Sequence, residues 1–120
     1  MKVLVCGGRD FNNYELLSSV LDEISPNIVV TGGAKGADTL AAYWAATNKV
    51  ESRTYHADWG TFGSIAGPLR NKVMLLGETP HLVVAFPGGK GTANMVQIAD
   101  KYGFPIRFVY EEVDPEELLG

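Results

Sequence analysis

Glycines and charged side chains recur together at four points of this 120-residue chain. Eleven of its 14 glycines fall into four clusters. The clusters are Gly7-Gly8, Gly32-Gly33-Gly36, Gly60-Gly63-Gly67 and Gly88-Gly89-Gly91. Glycine allows the main chain to approach a ligand closely, and bare amides at a helix N-terminus attract anions, with help from the helix dipole. We therefore expect the clusters to bind phosphate, although glycine also serves turn geometry alone.

Charged and polar side chains stand beside these glycines. They are Arg9 and Asp10, Lys35 and Asp38, Arg70 and Asn71, and Lys90. Basic groups near bare amides suit phosphate, and carboxylates suit ribose hydroxyls or an amine. Trp59 offers a face on which a base could stack or, equally, an anchor for its loop. Taken singly, Asp38 is as consistent with a partner for a helix N-terminus as with a ligand contact.

Standard phosphate and nucleophile motifs are missing. The segment 32–39 lacks the spacing of a P-loop, and no GxGxxG follows the first apolar run, which disfavours a P-loop ATPase and a nicotinamide dehydrogenase. The single cysteine, Cys6, has no evident histidine partner and is assigned to the core. His56 and His81 lack a carboxylate motif, so we expect no metal and no cofactor.

Short β-branched runs alternate with segments of helical period. The predicted strands are 2–6, 27–31, 52–57, 81–86 and 105–110. Four helices are predicted from apolar stripes, which are Tyr14/Leu17/Leu21/Ile24, Ala37/Leu40/Ala41/Trp44/Ala45, Leu69/Val73/Leu76 and Met95/Val96/Ala99. Asn12 or Asn13 is available to cap the first helix, and Gly103 to end the last. This alternation predicts a three-layer α/β sandwich with a five-stranded, mainly parallel sheet, whose carboxyl edge collects all four glycine clusters.

Length and composition indicate one ordinary globular domain. We expect a domain over residues 1–110 and an acidic tail over 111–120, which holds five of the 14 acidic residues. The rest of the chain is near neutral, which disfavours binding to duplex nucleic acid. No apolar run reaches the length of a membrane span, and one cysteine suits a reducing compartment, so we expect a cytoplasmic protein with no membrane partner.

Five motifs in order resemble one family. Gly7-Gly8-Arg9-Asp10-Phe11, Gly32-Gly33-Ala34-Lys35-Gly36-Ala37-Asp38, Ala57-Asp58-Trp59, Ala66-Gly67-Pro68-Leu69-Arg70-Asn71 and Phe86-Pro87-Gly88-Gly89-Lys90-Gly91-Thr92 are similar to the YspA-like, YpsA-related branch of the SLOG superfamily. The resemblance implies a Rossmann-like fold and a nucleotide or nucleotide-derived ligand, with residues 87–92 as the phosphate loop and Arg70 lining the site. It also leaves a homodimer open.

The ligand-binding residues predicted from the clusters and the resemblance form one set. They are Gly7, Gly8, Arg9, Asp10, Gly32, Gly33, Lys35, Gly36, Asp38, Trp59, Arg70, Asn71, Pro87, Gly88, Gly89, Lys90, Gly91 and Thr92. The favoured function is a sensor or binding module for a nucleotide-derived molecule.

Two alternatives remain open. The superfamily includes LOG phosphoribohydrolases, which cleave the N-glycosidic bond of nucleoside 5′-monophosphates with an arginine, for which Arg70 stands here, and a glutamate. The glutamate position is Asn94, an amide that cannot act as the required carboxylate, so an enzyme would need Asp38 or Asp58 instead. The second alternative is single-stranded nucleic-acid binding, by analogy with the DprA proteins of the superfamily.

Overall fold

The structure is a computed structural model that describes residues 1–112 and Glu116. The predicted acidic tail lies outside these residues except for Glu111, Glu112 and Glu116. The strands are β1 Lys2–Cys6, β2 Ile28–Thr31, β3 Glu51–Thr54, β4 Leu82–Ala85 and β5 Ile106–Phe108. The helices are α1 Tyr14–Ile24, α2 Ala37–Thr47, α3 Trp59–Phe62, α4 Ala66–Glu78 and α5 Lys90–Lys101, with a 3-10 turn at Gly63–Ile65.

The five strands form one parallel sheet in the order β3-β2-β1-β4-β5. From β1 the chain builds outward to β3, then crosses back to place β4 on the other side of β1. The strand order therefore reverses between β1 and β4, and in open α/β sheets such a reversal opens a crevice at the carboxyl edge. The predicted α/β, Rossmann-like three-layer sandwich is confirmed.

Two apolar layers hold the helices against the sheet. On one face α1 and α2 bury Leu17, Leu21 and Trp44 against β1 and β2. On the other face α4 and α5 bury Met74 and Met95 against the central strands. The strand residues between the two layers are fully buried, which explains why β1, β2 and β4 are apolar without alternation.

The helix ends follow the predicted capping residues. The Asn13 side chain accepts a hydrogen bond from the Leu16 amide at 3.1 Å, so Asn13 and not Asn12 caps α1. Gly103 follows α5 with a φ of +79°, a left-handed conformation that glycine adopts without strain. Both predictions are confirmed at the residue level.

Helix α4 packs against the sheet with a different face from the one that was predicted. Leu69, Val73 and Leu76, predicted as its apolar packing stripe, are exposed, and the exposed fraction of Val73 is 61%. The face toward the sheet is formed instead by Gly67, Asn71, Met74, Leu75 and Glu78. The prediction of this stripe is wrong because the buried face carries glycine and polar side chains. These polar side chains can be buried because they are hydrogen-bonded inside the protein.

Glu78 ties the end of α4 to two strands. Its buried carboxylate accepts hydrogen bonds from the Tyr55 hydroxyl at 2.6 Å and from Arg53 at 2.9 Å, and it forms an ion pair with Lys2 at 3.0 Å. The Tyr55 hydrogen bond is the largest of the causes that lower the pKa of Glu78 to about 2. This cluster anchors α4, on which Arg70 and Asn71 stand.

Within the described part of the chain, no helix has the length and apolar character needed to cross a membrane.

Candidate functional site

A groove of about 1160 Å³ runs along the carboxyl edge of the sheet at the reversal of strand order. It is lined by the loops that follow β1, β2 and β4, by Trp59 and by the first turns of α4 and α5. The loops after β1 and β4 are joined at its floor, where the Gly8 amide donates to the Pro87 carbonyl at 2.8 Å. Every predicted ligand-binding residue except Gly36 lines this groove.

The loop after β4 presents unoccupied amides at the N-terminus of α5. Among the described residues, the amides of Gly89, Lys90 and Gly91 donate to no protein acceptor, and Ala93 makes the first bond of the helix, to the Gly89 carbonyl at 3.0 Å. A Cβ added at Gly89 or Gly91 would meet nothing within 4 Å, so both positions face open space. This end of the groove can therefore receive an anion.

The loop after β2 is organised differently, because a buried carboxylate occupies its amides. Asp38 accepts hydrogen bonds from the amides of Gly32 and Ala34, each at 3.2 Å. Burial raises the pKa of Asp38 to about 6, and the Ala34 hydrogen bond and the Arg70 charge oppose that rise. Asp38 thus holds the loop in shape from inside the protein, and the amides of Gly32 and Ala34 are not free for a ligand.

Arg70 crosses the groove from α4 and is anchored to the main chain of two loops. Its Nη1 donates to the carbonyl of Gly32 at 2.5 Å and to that of Tyr55 at 3.2 Å. A Cβ at Gly32 would lie 2.6 Å from the Arg70 Cζ, so the missing side chain of Gly32 makes the space for the guanidinium. Among the described residues Nη2 has no hydrogen-bond partner, and it is the part of Arg70 that remains available.

Asn71 links Arg70 to α5. Its Oδ1 accepts from the Arg70 Nε at 3.0 Å, and its Nδ2 donates to the Asn94 Oδ1 at 3.0 Å and to the Gly91 carbonyl at 3.2 Å. Asn71 is buried, so every polar atom of its amide is used inside the protein. Asn71 therefore connects the Arg70 side chain on α4 to the first turns of α5.

Gly36 is the predicted site residue that does not line the groove. Its φ is +81°, and a Cβ there would collide with the Gly8 carbonyl oxygen and lie 2.7 Å from the Arg9 carbonyl carbon. The Ala37 amide also donates to the Gly8 carbonyl, at 3.2 Å. Gly36 therefore lets the loops after β1 and β2 pack together. From its position in a glycine cluster alone, this role cannot be distinguished from ligand contact.

Trp59 stands at the mouth of the groove as the first residue of α3, a short helix absent from the predicted elements. Its indole lies beside Gly67, where a Cβ would come within 3.1 Å of the ring, and 59% of the side chain is exposed. Asp58 caps this helix by accepting from the Thr61 amide at 3.1 Å. Hydrogen bonding from the Thr61 side chain, and then from its amide, lowers the pKa of Asp58. Asp58 does not line the groove, so the structure does not bring it to the site as a substitute carboxylate.

The remaining charged residues line the groove from exposed positions: Arg9, Asp10, Lys35 and Lys90. The groove also has lining residues that the predicted set does not contain, namely Val5, Phe11, Ala34, Ala57, Ser64, Gly67, Pro68, Met74 and Glu111. His56, considered only as a metal ligand, and Cys6 and Asn94, which were discussed but not assigned as ligand contacts, line it as well. Several of these residues follow strand ends, which is the one signal that could have marked them.

Two chemical roles receive no support from the geometry. Burial raises the pKa of the Cys6 thiol to about 12, and the nearby Asp38 charge adds to the rise, so the thiolate nucleophile is disfavoured. Within residues 1–112 and Glu116, no cluster of three histidine, cysteine, aspartate or glutamate side chains is arranged to hold a metal ion.

Comparisons with known proteins confirm the family that the sequence motifs resemble. Residues 1–62 match the family described as "YspA, cpYpsA-related SLOG family". The chain is similar to the Gene 61 protein of Mycobacterium phage D29, with 34% identity over 117 residues that cover 88% of this chain and 93% of that protein.

A solved structure shares the fold. The chain is similar to DNA processing protein A (DprA) from Streptococcus pneumoniae, with a TM-score of 0.77 and 17% identity over 98% of this chain. The chain spans 55% of that DprA chain. At this level of identity the likeness concerns the fold.

Proposed function

This chain belongs to the YspA, cpYpsA-related SLOG family, and on that premise we propose that it binds a nucleotide or nucleotide-derived molecule in the carboxyl-edge groove. The observation that carries the proposal is the set of open amides at Gly89, Lys90 and Gly91, at the reversal of strand order. A dinucleotide or mononucleotide phosphate binds such a helix N-terminus in many folds of this architecture.

The charges around the groove support the same ligand class. Lys90 lies on the loop that carries the open amides, and Nη2 of Arg70 has no protein acceptor among the described residues. Arg9 and Lys35 add two exposed cations on the facing loops. Asp10 stands next to Arg9, where a carboxylate can accept hydrogen bonds from sugar hydroxyls.

Trp59 supports a base at the mouth of the groove. An exposed indole gives a planar surface on which any nucleobase stacks, typically with about 1–3 kcal/mol per base. The indole of Trp59 lies beside Gly67, whose missing side chain leaves room for the ring at this position. The ligand would place its phosphate at α5 and its base toward Trp59.

Binding is proposed here without a hydrolytic step. The position that the resemblance assigns to a catalytic glutamate is Asn94, whose side chain accepts a hydrogen bond from Asn71. Asp38 is buried and already accepts two hydrogen bonds from backbone amides. Neither side chain presents a free carboxylate to a ribose, so we expect AMP to bind without release of adenine.

Titration calorimetry with AMP, ADP and a single-stranded oligonucleotide tests the proposal. We expect AMP or ADP to bind and Lys90→Ala to weaken that binding about tenfold, a loss of about 1.4 kcal/mol. Lys101→Ala is the matched control, because Lys101 lies at the far end of the same helix and outside the groove. Equal affinities for both variants, or no binding of AMP and ADP, would contradict the proposal. Binding of the oligonucleotide alone would favour the nucleic-acid alternative.

We also propose that two copies of the chain associate through α4. Leu69, Val73 and Leu76 of α4 are exposed and recur every three or four residues, the spacing of a helix face that packs against another helix. Phe62 and Ile65, just before this helix, are exposed as well. A face of this kind can pack against its own copy across a two-fold axis. Such exposed apolar patches typically mark interaction sites.

Sedimentation velocity over a range of concentrations tests the dimer. We expect a dimer for the natural sequence and a monomer for Val73→Glu, because the substitution places a charge on the most exposed of these apolar residues. Tyr43→Glu is the control, since Tyr43 is equally exposed but lies on α2, on the other face of the sheet. A natural-sequence protein that stays monomeric at every concentration excludes this interface.

A further inference from the structure

A second cavity lies behind the phosphate loop, on the side of β4 and β5. Its volume is about 420 Å³, and its walls come from the loop 87–89, the first turns of α5 and the end of β5. Pro87, Gly88, Gly89 and Thr92 line both this side cavity and the main groove. The loop is therefore a ridge between two adjoining cavities.

Two exposed aromatic side chains form the outer wall of the side cavity. The rings of Phe108 and Tyr110 are nearly parallel, with centroids 6.5 Å apart and an angle of 18° between their planes. They expose 50% and 76% of their side chains, and neither belongs to the buried clusters that hold the helices to the sheet. The pair is therefore not needed to fill the core.

Helix α5 contributes a further part of the cavity lining. Ala93 and Val96 provide an apolar surface, and Gln97 is an exposed amide with both a donor and an acceptor. Apolar walls with one or two polar groups are typical of small-molecule sites. A nucleobase has the planar faces and polar edge that these walls complement.

We infer that the side cavity binds a second nucleobase of the same ligand, which makes the ligand a pyrophosphate-bridged dinucleotide. The inference rests on the proposed function, because it places the phosphates at the open amides of Gly89 to Gly91. From that ridge one nucleoside lies in the main groove toward Trp59, and the other lies in the side cavity against Tyr110. A mononucleotide would leave one of the two cavities empty.

Calorimetry with three probes tests this arrangement: AMP, ADP-ribose and diadenosine diphosphate, in which two adenosines are joined through a pyrophosphate. We expect diadenosine diphosphate to bind at least tenfold more tightly than AMP or ADP-ribose, since only this probe carries a second base. In Tyr110→Ser the advantage over AMP should disappear while the affinity for AMP stays unchanged.

Tyr43→Ser is the matched control, because Tyr43 is also an exposed tyrosine with an aromatic neighbour, Tyr14, and it lies away from both cavities. It should keep the tight binding of diadenosine diphosphate. If AMP binds but the second adenosine adds no affinity, or if Tyr110→Ser does not change it, the inference is wrong and the proposed function stands. If none of the three probes binds, the proposed function fails, and the dinucleotide fails with it.

Discussion

Gly32→Ala tests whether this glycine serves Arg70 or serves a ligand. The new methyl group would lie 2.6 Å from the Arg70 Cζ, and the guanidinium is the mobile end of a flexible side chain, so it would move aside. Its two hydrogen bonds from Nη1 to main-chain carbonyls would then be lost. We expect the substitution to act through Arg70 and not through the backbone, because the φ of Gly32 is not in the positive range.

The magnitude follows from those two hydrogen bonds. A hydrogen bond from a charged donor is worth about 1.5–3 kcal/mol, and solvent partly replaces the ones that a half-buried arginine loses. Replacing glycine by alanine also stabilises by about 0.4–1 kcal/mol through the unfolded chain. We expect Gly32→Ala to lower the free energy of unfolding by about 1–2 kcal/mol.

Urea denaturation of a double-mutant cycle separates the two explanations. In an Arg70→Ala background there is no guanidinium to displace, so Gly32→Ala should stabilise by about 0.4–1 kcal/mol, and the coupling energy should be about 2 kcal/mol. Gly91→Ala is the control for the intrinsic effect of the methyl group, because a Cβ there meets nothing within 4 Å and the residue is helical. If Gly32→Ala has the same cost with and without Arg70, the reasoning is refuted.

Three further predictions follow from the buried ionisable groups. Because the pKa of Glu78 is lowered to about 2, its stabilisation is present above pH 4.5 and is lost as the pH falls toward 2. Glu78→Gln should therefore lower the free energy of unfolding by about 2 kcal/mol at pH 7, and an equal loss at pH 2.5 in urea titrations would contradict this. The raised pKa of Asp38 means that the folded state holds a proton which the unfolded state loses, so stability should fall as the pH rises from about 4 to about 6. A Tm profile of Asp38→Asn that keeps this slope would assign the slope to another group. The Cys6 thiol, with a pKa of about 12, should resist iodoacetamide at pH 8 until urea unfolds the chain, and mass spectrometry showing rapid alkylation of the folded protein would argue against its burial.

The strands were predictable because their burial leaves a direct mark on the sequence. A parallel strand covered on both faces must be apolar throughout, and Val3 to Val5 and Val83 to Ala85 fit that requirement. The edge strand β3 has no such mark: Glu51 and Ser52 are exposed, and the strand begins one residue before and ends three residues before its predicted limits. Boundaries at a sheet edge depend on pairing with β2, which a single strand's composition does not record.

The orientation of α4 could not be predicted from its own period. Leu69, Val73 and Leu76 lie on one face, and Asn71, Met74 and Glu78 lie on another at comparable spacing. The first face is the more apolar of the two, and it is the exposed one. The polar members of the buried face are stabilised by partners distant in sequence, such as the Tyr55 hydroxyl for Glu78, and no local pattern reveals those partners.

The location of the candidate site could be predicted from the sequence, but the role of each residue in it was less predictable. Strand ends marked by glycine and charge converge at the groove, since parallel strands share their carboxyl edge. What the sequence could not assign was the direction of each polar group. Asp38 points into the loop after β2 and accepts hydrogen bonds from the amides of Gly32 and Ala34, whereas the described amides of Gly89, Lys90 and Gly91 have no such carboxylate.

This difference distinguishes the two glycine-rich loops that line the groove. Two amides of the loop after β2 already donate to a buried carboxylate, whereas the unoccupied amides at the N-terminus of α5 favour an anion. The guanidinium of Arg70 joins the two loops, because Nη1 is fixed on Gly32 while Asn71 connects Nε to Gly91. Under the proposed function, we expect the loop after β4 to bind the phosphate and the loop after β2 to hold Arg70 in place, although both loops carry a glycine-rich pattern in the sequence.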